Sequence, residues 1–475
     1  MFMNKKKGIT VALSLAVLAS FALGNASATY GLSSEGGTDY FIVNPYATVD
    51  WNSFGQYKAD FHAHSIESDG GNTPADMIED HYAKGFDILA LTDHNFMNTT
   101  WDRTDRPAGV EYLTSKRLAE INAGTNRNGR GMVAVNNSDE QSKDDHLNTF
   151  WANFNNVDGA TLEGNIAKTE ELGGISHLNH PGRYTGARTA TLEQGERISK
   201  DPAIVGEYVK LFDKYDSLVG MEIINKKDGD SVSDRILWDS ILQETMDERN
   251  PVWGFSNDDT HSLGATGFSY NMMLMPENNE ANIRQSMENG TFYAVAKVAK
   301  RELGAGFVAQ GPTPIIANIV VDQEENSITI KGANYNEIQW ITDGEVIATG
   351  DSIDLNLYED KIGSYIRAQL LGDGGISFTQ PFGVNEYTID NLQDLVEQLN
   401  VSKGFKNSLT VKLNNAEKSI NAGKSNYENS LNAFKNEVKA QSGKEINKDQ
   451  SDALIKAVDE IILNINSQGS LASVK

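Results

Sequence analysis

The chain has 475 residues, enough for about three domains, and a formal charge of −25, which argues against the basic stripes of a nucleic-acid-binding surface. Acidity of this size favours solubility and divalent cations and says nothing of fold. There is no cysteine, so disulfides and thiolate metal sites are both excluded.

Lys5, Lys6 and Lys7 precede an apolar run from Ile9 to Leu23, and Ala26-Ser27-Ala28 then supplies small residues at a cleavage position. That is the layout of a secretory signal, and the run is short for a membrane span. The sequence predicts a signal peptide over 1–28, a mature chain from near Thr29 outside the cytoplasm, and no membrane span in that mature chain.

Next comes a strand pattern from Tyr57 to Phe61, which delivers His62 and His64 on one face because alternate side chains point the same way. A short loop, Ser65 to Gly71, brings Asp69 back toward them. Two imidazoles and a carboxylate suit zinc, manganese or iron. Thr73 is placed to cap a helix with Pro74 at its first position and Asp76 in its first turn, and Gly85 to stop it. The apolar run 86–91 has the length of a buried strand and ends in Thr92-Asp93-His94-Asn95. The pattern repeats: 131–135 leads to Glu140 and His146, 173–176 to His177, His180 and Arg183, 218–224 to Asn225, and 251–256 to Asp258, Asp259 and His261. Strands alternating with helices predict a mainly parallel sheet. Ligand-type residues gathered just past strand ends point to the catalytic face of a βα barrel. Seven of the eight histidines lie in these clusters, and only His81 sits mid-helix.

Over 312–386 short β-rich runs separated by Gly, Asp and Asn predict a small antiparallel sandwich. From Thr388 onward apolar residues recur at helical spacing, as in Leu392, Leu395, Val396 and Leu399, with breaks near Gly404, Gly423 and Gly443. That predicts a bundle of about four helices.

Together, His62-x-His64, Ser68-Asp69-Gly70, Thr92-Asp93-His94, Glu140 with His146, His180-Pro181 and Asp259-x-His261 resemble the PHP (polymerase and histidinol phosphatase) superfamily over roughly 57–295. The resemblance implies a distorted TIM-like barrel of seven strands holding two or three divalent metal ions (Zn, Mn or Fe). Carried over by motif, His62, His64, Glu140 and Asp259 hold one ion. Glu140 bridges to a second held by His146 and His180, and Asp69, His94 and His261 hold the third. Glu222 and Asn225 fall in a family stretch that supports the ligands or touches substrate. Closely spaced cations acidify a shared water for attack on phosphorus or a carbonyl carbon, and Arg183 is placed to fork onto phosphate oxygens. Glu140, Asp259 and Arg183 are therefore the candidate catalytic residues. The segment 388–468, with Leu395-Val396-Glu397-Gln398-Leu399 and Lys412-Leu413-Asn414-Asn415-Ala416, is similar to the FIMAH domain appended to secreted Gram-positive enzymes.

The expected organisation is thus an α/β protein: a barrel over 29–304, an Ig-like β-sandwich over 305–387 and a FIMAH-like helical bundle over 388–475. The expected activity is a secreted metal-dependent phosphoesterase acting on a small-molecule or polymer phosphate ester, not nucleic acid. Cell-wall association through the helical segment is expected with it. A carbamate or carboxyl-ester hydrolase using the same site, and a non-catalytic envelope-associated binding protein, are the competing readings.

Overall fold

The computed structural model describes residues 40–472, apart from 156–159, 247–249, 324 and 400. The expected signal peptide and the start near Thr29 lie outside the described residues. Among the described residues no helix is long and apolar enough to cross a membrane.

β1 (Tyr40–Val43) is followed by β2 (Gly55–Asp60), β3 (Ile88–Leu89) and β4 (Val133–Ala134), the last three running parallel. The helix Pro74–Ala83 links β2 to β3, and its start is a reciprocal cap: Thr73 Oγ1 accepts from the Asp76 N–H and the Asp76 carboxylate from the Thr73 N–H. Its buried face carries Met77, Ile78 and Tyr82, and Gly85 beyond its end takes φ 82°.

β5 (Ser138–Gln141), β6 (Leu147–Phe150), β7 (Ile175–Leu178), β8 (Leu218–Asn225) and β9 (Trp253–Asn257) form a second sheet in that order. The first two pairings are antiparallel and the last two parallel. β10 (Ser269–Met275) returns antiparallel to β2, and β11 (Phe292–Ala296) pairs with β10. The two sheets enclose a common core in which Phe61 packs edge-on against Phe150 and Phe255, with centroids 5.9 and 6.2 Å apart. Each such buried ring contributes about 2–3 kcal/mol. Anchoring Phe61 inward fixes which way its neighbours His62 and His64 face.

The architecture is mixed α/β, but the closed seven-stranded barrel expected from the sequence is not formed. At one seam only Ala63 and Thr260 pair, and at the other only His94 with Glu140 and Asn98 with Ser138. Asn95 and Asp259, at φ 51° and 42°, turn the backbone out of ladder geometry there. The reversed β5–β6 hairpin also breaks the parallel alternation.

β12 (Ile315–Asp322), β13 (Ser327–Ala333) and β16 (Ser352–Asp354) make a three-stranded antiparallel sheet. β14 (Glu337–Thr342), β15 (Glu345–Thr349), β17 (Tyr365–Gly372), β18 (Gly375–Phe378) and β19 (Phe382–Glu386) do not make a second free-standing sheet. β18 pairs with β11, so the first sheet runs unbroken through both regions, and β1 closes onto β19. Helices Ile389–Gln398, Lys403–Asn421, Tyr427–Gln441 and Lys448–Ala472 follow, with a core of their own around Leu409, Leu431, Phe434 and Val458.

Candidate metal centre

The site lies at the two seams, where strands stop and their next residues turn inward. His62 and His64 follow β2 and are held extended by Thr260: the His64 N–H donates to Thr260 O and the Thr260 N–H to His62 O, at 2.9 and 3.3 Å. The following loop doubles back tightly. A Cβ on Gly70 would lie 2.6 Å from His64 O, so only glycine fits, and Asp69 Oδ1 is carried to 3.8 Å from His64 Nδ1. Asp93, buried, gathers the same loop by accepting from Ser65 N–H, Ser65 Oγ and Ser68 Oγ. It serves as an anchor and leaves its neighbour His94 to face the site.

The structure brings all nine expected donors together. His62, His64 and Glu140 form one group, His62, His180 and Asp259 a second, His94, Glu140 and His146 a third, and His64, Asp69, His94 and His261 a fourth; in each, the donor atoms lie within 4.8 Å of one another. The grouping differs from the motif-based one in three respects: His64 joins Asp69, His94 and His261; His94 stands beside Glu140 and His146; and His180 sits with His62 and Asp259, its Nε2 3.8 Å from Glu140 Oε1. Arg183 is exposed in the wall of the cleft above them.

These contacts fit a cation better than hydrogen bonds. His62 Nε2 is 3.2 Å from Glu140 Oε1 and 3.5 Å from Asp259 Oδ1, and His64 Nε2 is 3.2 Å from Asp259 Oδ1. Two atoms each about 2.1 Å from a shared ion stand about 3–3.5 Å apart. Both Nε2 atoms, Glu140 Oε2 and Asp259 Oδ1 are buried without a hydrogen-bond partner among the described residues, a cost tolerated only where another ligand takes up the lone pairs.

A ring of buried amides and carboxylates aims the donors. Glu222 accepts from His62 Nδ1 at 2.8 Å, from the His180 N–H at 3.0 Å, and from Asn225 and Asn257 side-chain amides at 2.8 and 2.9 Å. Occupying Nδ1 of His62 directs its Nε2 lone pair into the site. Asn179 donates to Glu140 Oε1 at 2.6 Å, and Asn225 and Lys226 reach Asp259 Oδ2 at 3.2 and 3.1 Å. His180, Asp259 and Lys226 all have left-handed backbones, at φ 33°, 42° and 55°, a strain of roughly 1–3 kcal/mol each that sites with imposed geometry retain.

Electrostatically the centre is a web of opposite charges. Burial opposes a charged His62, but Asp259, Glu222 and Glu140 outweigh it and raise its pKa well above the ordinary value. Burial likewise opposes charge on Glu140 and Asp259, yet the facing imidazoles hold both well below the usual carboxylate range. His180, deep in the site, is pushed down to about 3 by burial and is a neutral donor.

His177 points the other way: it stacks on Phe255, with centroids 4.7 Å apart, and burial lowers its pKa to about 4. It belongs to the core. His81 bonds Met77 O and the Asp60 carboxylate beneath β2. Sequence reasoning missed Asn179, Lys226, Arg188 and Asp230. The last three, with Arg183, line the cleft of about 540 Å³ over the donors. Their residue types are common in loops, and only the fold makes them neighbours.

Residues 388–463 match the family model of the FIMAH domain, which that segment resembles in sequence. Over 81 residues the chain is 33% identical to a 5'-3' exoribonuclease of Haemophilus influenzae; the match takes in 16% of this chain and spans only 27% of that relative. Among solved structures it is similar to a two-domain protein from Bacteroides vulgatus containing a predicted PHP-like metal-dependent phosphoesterase: 14% identity, TM-score 0.38, 73% of this chain and 99% of that one. It is also similar to an amidohydrolase from Chromobacterium violaceum, with 16% identity, TM-score 0.27, 43% of this chain and 87% of the other.

Proposed function

We propose that this chain is a secreted metal-dependent hydrolase of the PHP type that cleaves phosphate esters. The observation that carries the reading is the convergence of nine imidazole and carboxylate donors, several of them buried with no other partner, at the floor of one cleft. In this reading His62, His64 and Glu140, with His180 and Asp259 beside them, would hold one divalent ion, Glu140 with His94 and His146 would hold a second, and His64, Asp69, His94 and His261 would offer a third position. Zinc, manganese and iron all suit such nitrogen and oxygen donors. When bound, such ions acidify water and draw charge from phosphoryl oxygens.

The chain's own residues do the rest. Glu222 and Asn179 keep His62 and Glu140 in their orientations. Arg183 and Lys226, cationic in the cleft wall, receive the phosphate oxygens that do not react. That wall favours a phosphate over a carbamate or neutral carboxyl ester, because a neutral carbonyl offers nothing to the Arg183 guanidinium, which has no ion pair among the described residues. The lysine-rich leader with its apolar run and the FIMAH match at 388–463 support an extracellular address, with the helical segment as a cell-wall contact.

The test is hydrolysis of p-nitrophenyl phosphate beside p-nitrophenyl acetate after chelation and re-addition of zinc, manganese or iron. Phosphatase activity that vanishes with chelator, returns with one of the metals and falls at least 100-fold in His62→Ala supports the reading. Full activity without metal, or acetate hydrolysis alone, defeats it.

A further inference from the structure

The segment that leaves β11 toward the antiparallel strands is fastened on its way to both loops of the cleft wall. Three consecutive residues make the attachment. The Lys300 N–H donates to Asp228 Oδ2 at 2.6 Å. The Arg301 guanidinium spans the two loops: it donates to Leu192 O at 3.0 Å in the segment after β7, and to Val232 O and Ser233 Oγ at 3.1 and 3.2 Å in the one after β8. Glu302 accepts a fork from Arg235, through two nitrogens each 2.8 Å away. None of Arg235, Lys300, Arg301 and Glu302 lines the cleft.

These residues hold the ground on which the cationic wall stands. Buried Arg235 also donates to the two Asp228 oxygens at 2.8 and 3.1 Å, and to the carbonyls of Ile223 and Ser231 at 3.1 and 2.6 Å. Asp228 and Lys226 have left-handed backbones, at φ 51° and 55°. Such a turn persists only where its surroundings over-determine it. With the turn so set, Lys226 Nζ stands 3.1 Å from Asp259 Oδ2, and Asp230 Oδ1 holds Arg188 Nε of the other loop at 2.8 Å. A Cβ on Gly195 would meet Ser233 Oγ at 2.3 Å, so the loops touch there as well. The wall is therefore one body, and Arg301 bonds both of its halves. The metal donors hang instead from strand ends and from Glu222, Asn179 and Asn225.

We propose that Arg301 and Glu302 are positioning residues for the phosphate-contacting wall, setting the affinity of the site for a phosphoryl group without touching it. This role rests on the phosphoesterase reading, in which Arg183 and Lys226 receive the unreactive oxygens. Loosening the clasp lets the strained turn at Lys226 relax, and an anion must then order the wall as it binds. The donors keep their own supports, so metal content and the chemical step are left as they were.

The test measures inorganic phosphate binding to the metal-loaded full chain by calorimetry, with metal content and with kcat and KM for p-nitrophenyl phosphate. The variants are Arg301→Gln and Glu302→Gln, with thermal melting as the check on folding. Glu196→Gln is the control, because that carboxylate lies 3.6 Å from Arg301 and its side chain is 41% exposed. Phosphate should bind about fivefold more weakly in Arg301→Gln, with KM raised in proportion and kcat and metal content within about twofold of the parent. Glu302→Gln should shift in the same direction, and Glu196→Gln should match the parent. A merely structural role would lower melting temperature and the metal-loaded fraction while leaving KM alone. Unchanged phosphate affinity and KM in both variants, an equal effect in Glu196→Gln, or metal lost in step with affinity would overturn the role. If Arg301→Gln does not fold, Glu302→Gln decides alone, and unfolding of both overturns it too. The broader reading fails on a different result, the absence of chelator-sensitive phosphatase activity in the parent.

Discussion

Glu222 shows how a single buried residue carries the site. It is fully buried within β8 and touches His62, the His180 backbone, Asn225 and Asn257 at once. Glu222→Gln is expected to weaken metal affinity about 10–100-fold, read by competition with a coloured chelator, while the far-ultraviolet spectrum stays that of the parent. Unchanged affinity would remove Glu222 from any positioning role. The same web sets a pH dependence. The raised His62 pKa gives the metal-free chain stability that is full below about pH 6.5 and fades as pH rises through the folded value. The depressed Glu140 and Asp259 values work the opposite way, giving stability above about pH 4.3 that is lost as pH falls. These charged groups favour the metal-free protein between those limits, while buried His180 and His177, held down to about 3 and 4, act against them and add stability as pH rises toward about 6.5. Metal must displace the His62 proton, so binding releases protons and strengthens with pH. Calorimetry at pH 7 in two buffers of different ionisation heat should show net proton release on loading, and none would contradict the assignment.

At the scale of elements, the loop from Ser65 to Gly71 is the most exacting piece. A Cβ on Gly70 meets the His64 carbonyl at 2.6 Å, whereas one on Gly71 meets the His261 carbonyl at an ordinary 3.5 Å. Gly70→Ala should cost about 1–3 kcal/mol in chemical denaturation and lower metal content, while Gly71→Ala should do neither. Equal effects would mean that the loop is not what seats Asp69. This loop was legible in the sequence because its function uses scarce residue types: histidines two apart, an aspartate, and glycine at the turn. The capping box at Thr73 was legible for the same reason. The ladder breaks were not, because a one-residue pairing such as Ala63 with Thr260 depends on backbone nearly 200 residues apart. Asn179 and Lys226 carry no sequence signal of their own either; an amide or an ammonium in a loop is ordinary until the fold places it against Glu140 or Asp259.

The whole molecule divides less evenly than its sequence texture does. The change near residue 304 coincides with no break in the sheet, since Ala294, Val295 and Ala296 of β11 pair with Phe378, Ser377 and Ile376 of β18. Across the same border Arg367 forks onto Asp239 at 2.7 Å through two nitrogens, all buried, and Gln380 bonds both the N–H and the carbonyl of Gly254 in β9. A chain ended at 304 exposes an unpaired strand edge and leaves Asp239 and Gly254 without partners, at about 1–3 kcal/mol for each orphaned polar group and more for the charged one. Native proteins have only about 5–15 kcal/mol in hand, so that truncated chain should be recovered unfolded or aggregated and hold no metal. The helical segment is attached differently. Its core is drawn almost wholly from its own residues, with Val43 as a contact from elsewhere. A chain ended at 387 should fold, bind the same metal and hydrolyse phosphate esters within about twofold of the full chain. Size-exclusion chromatography, metal analysis and the phosphatase assay on the two truncations decide the matter. A monodisperse, metal-loaded 40–304 fragment would show that the antiparallel strands are an appendage, and loss of activity in the 387 truncation would tie the helices to the site.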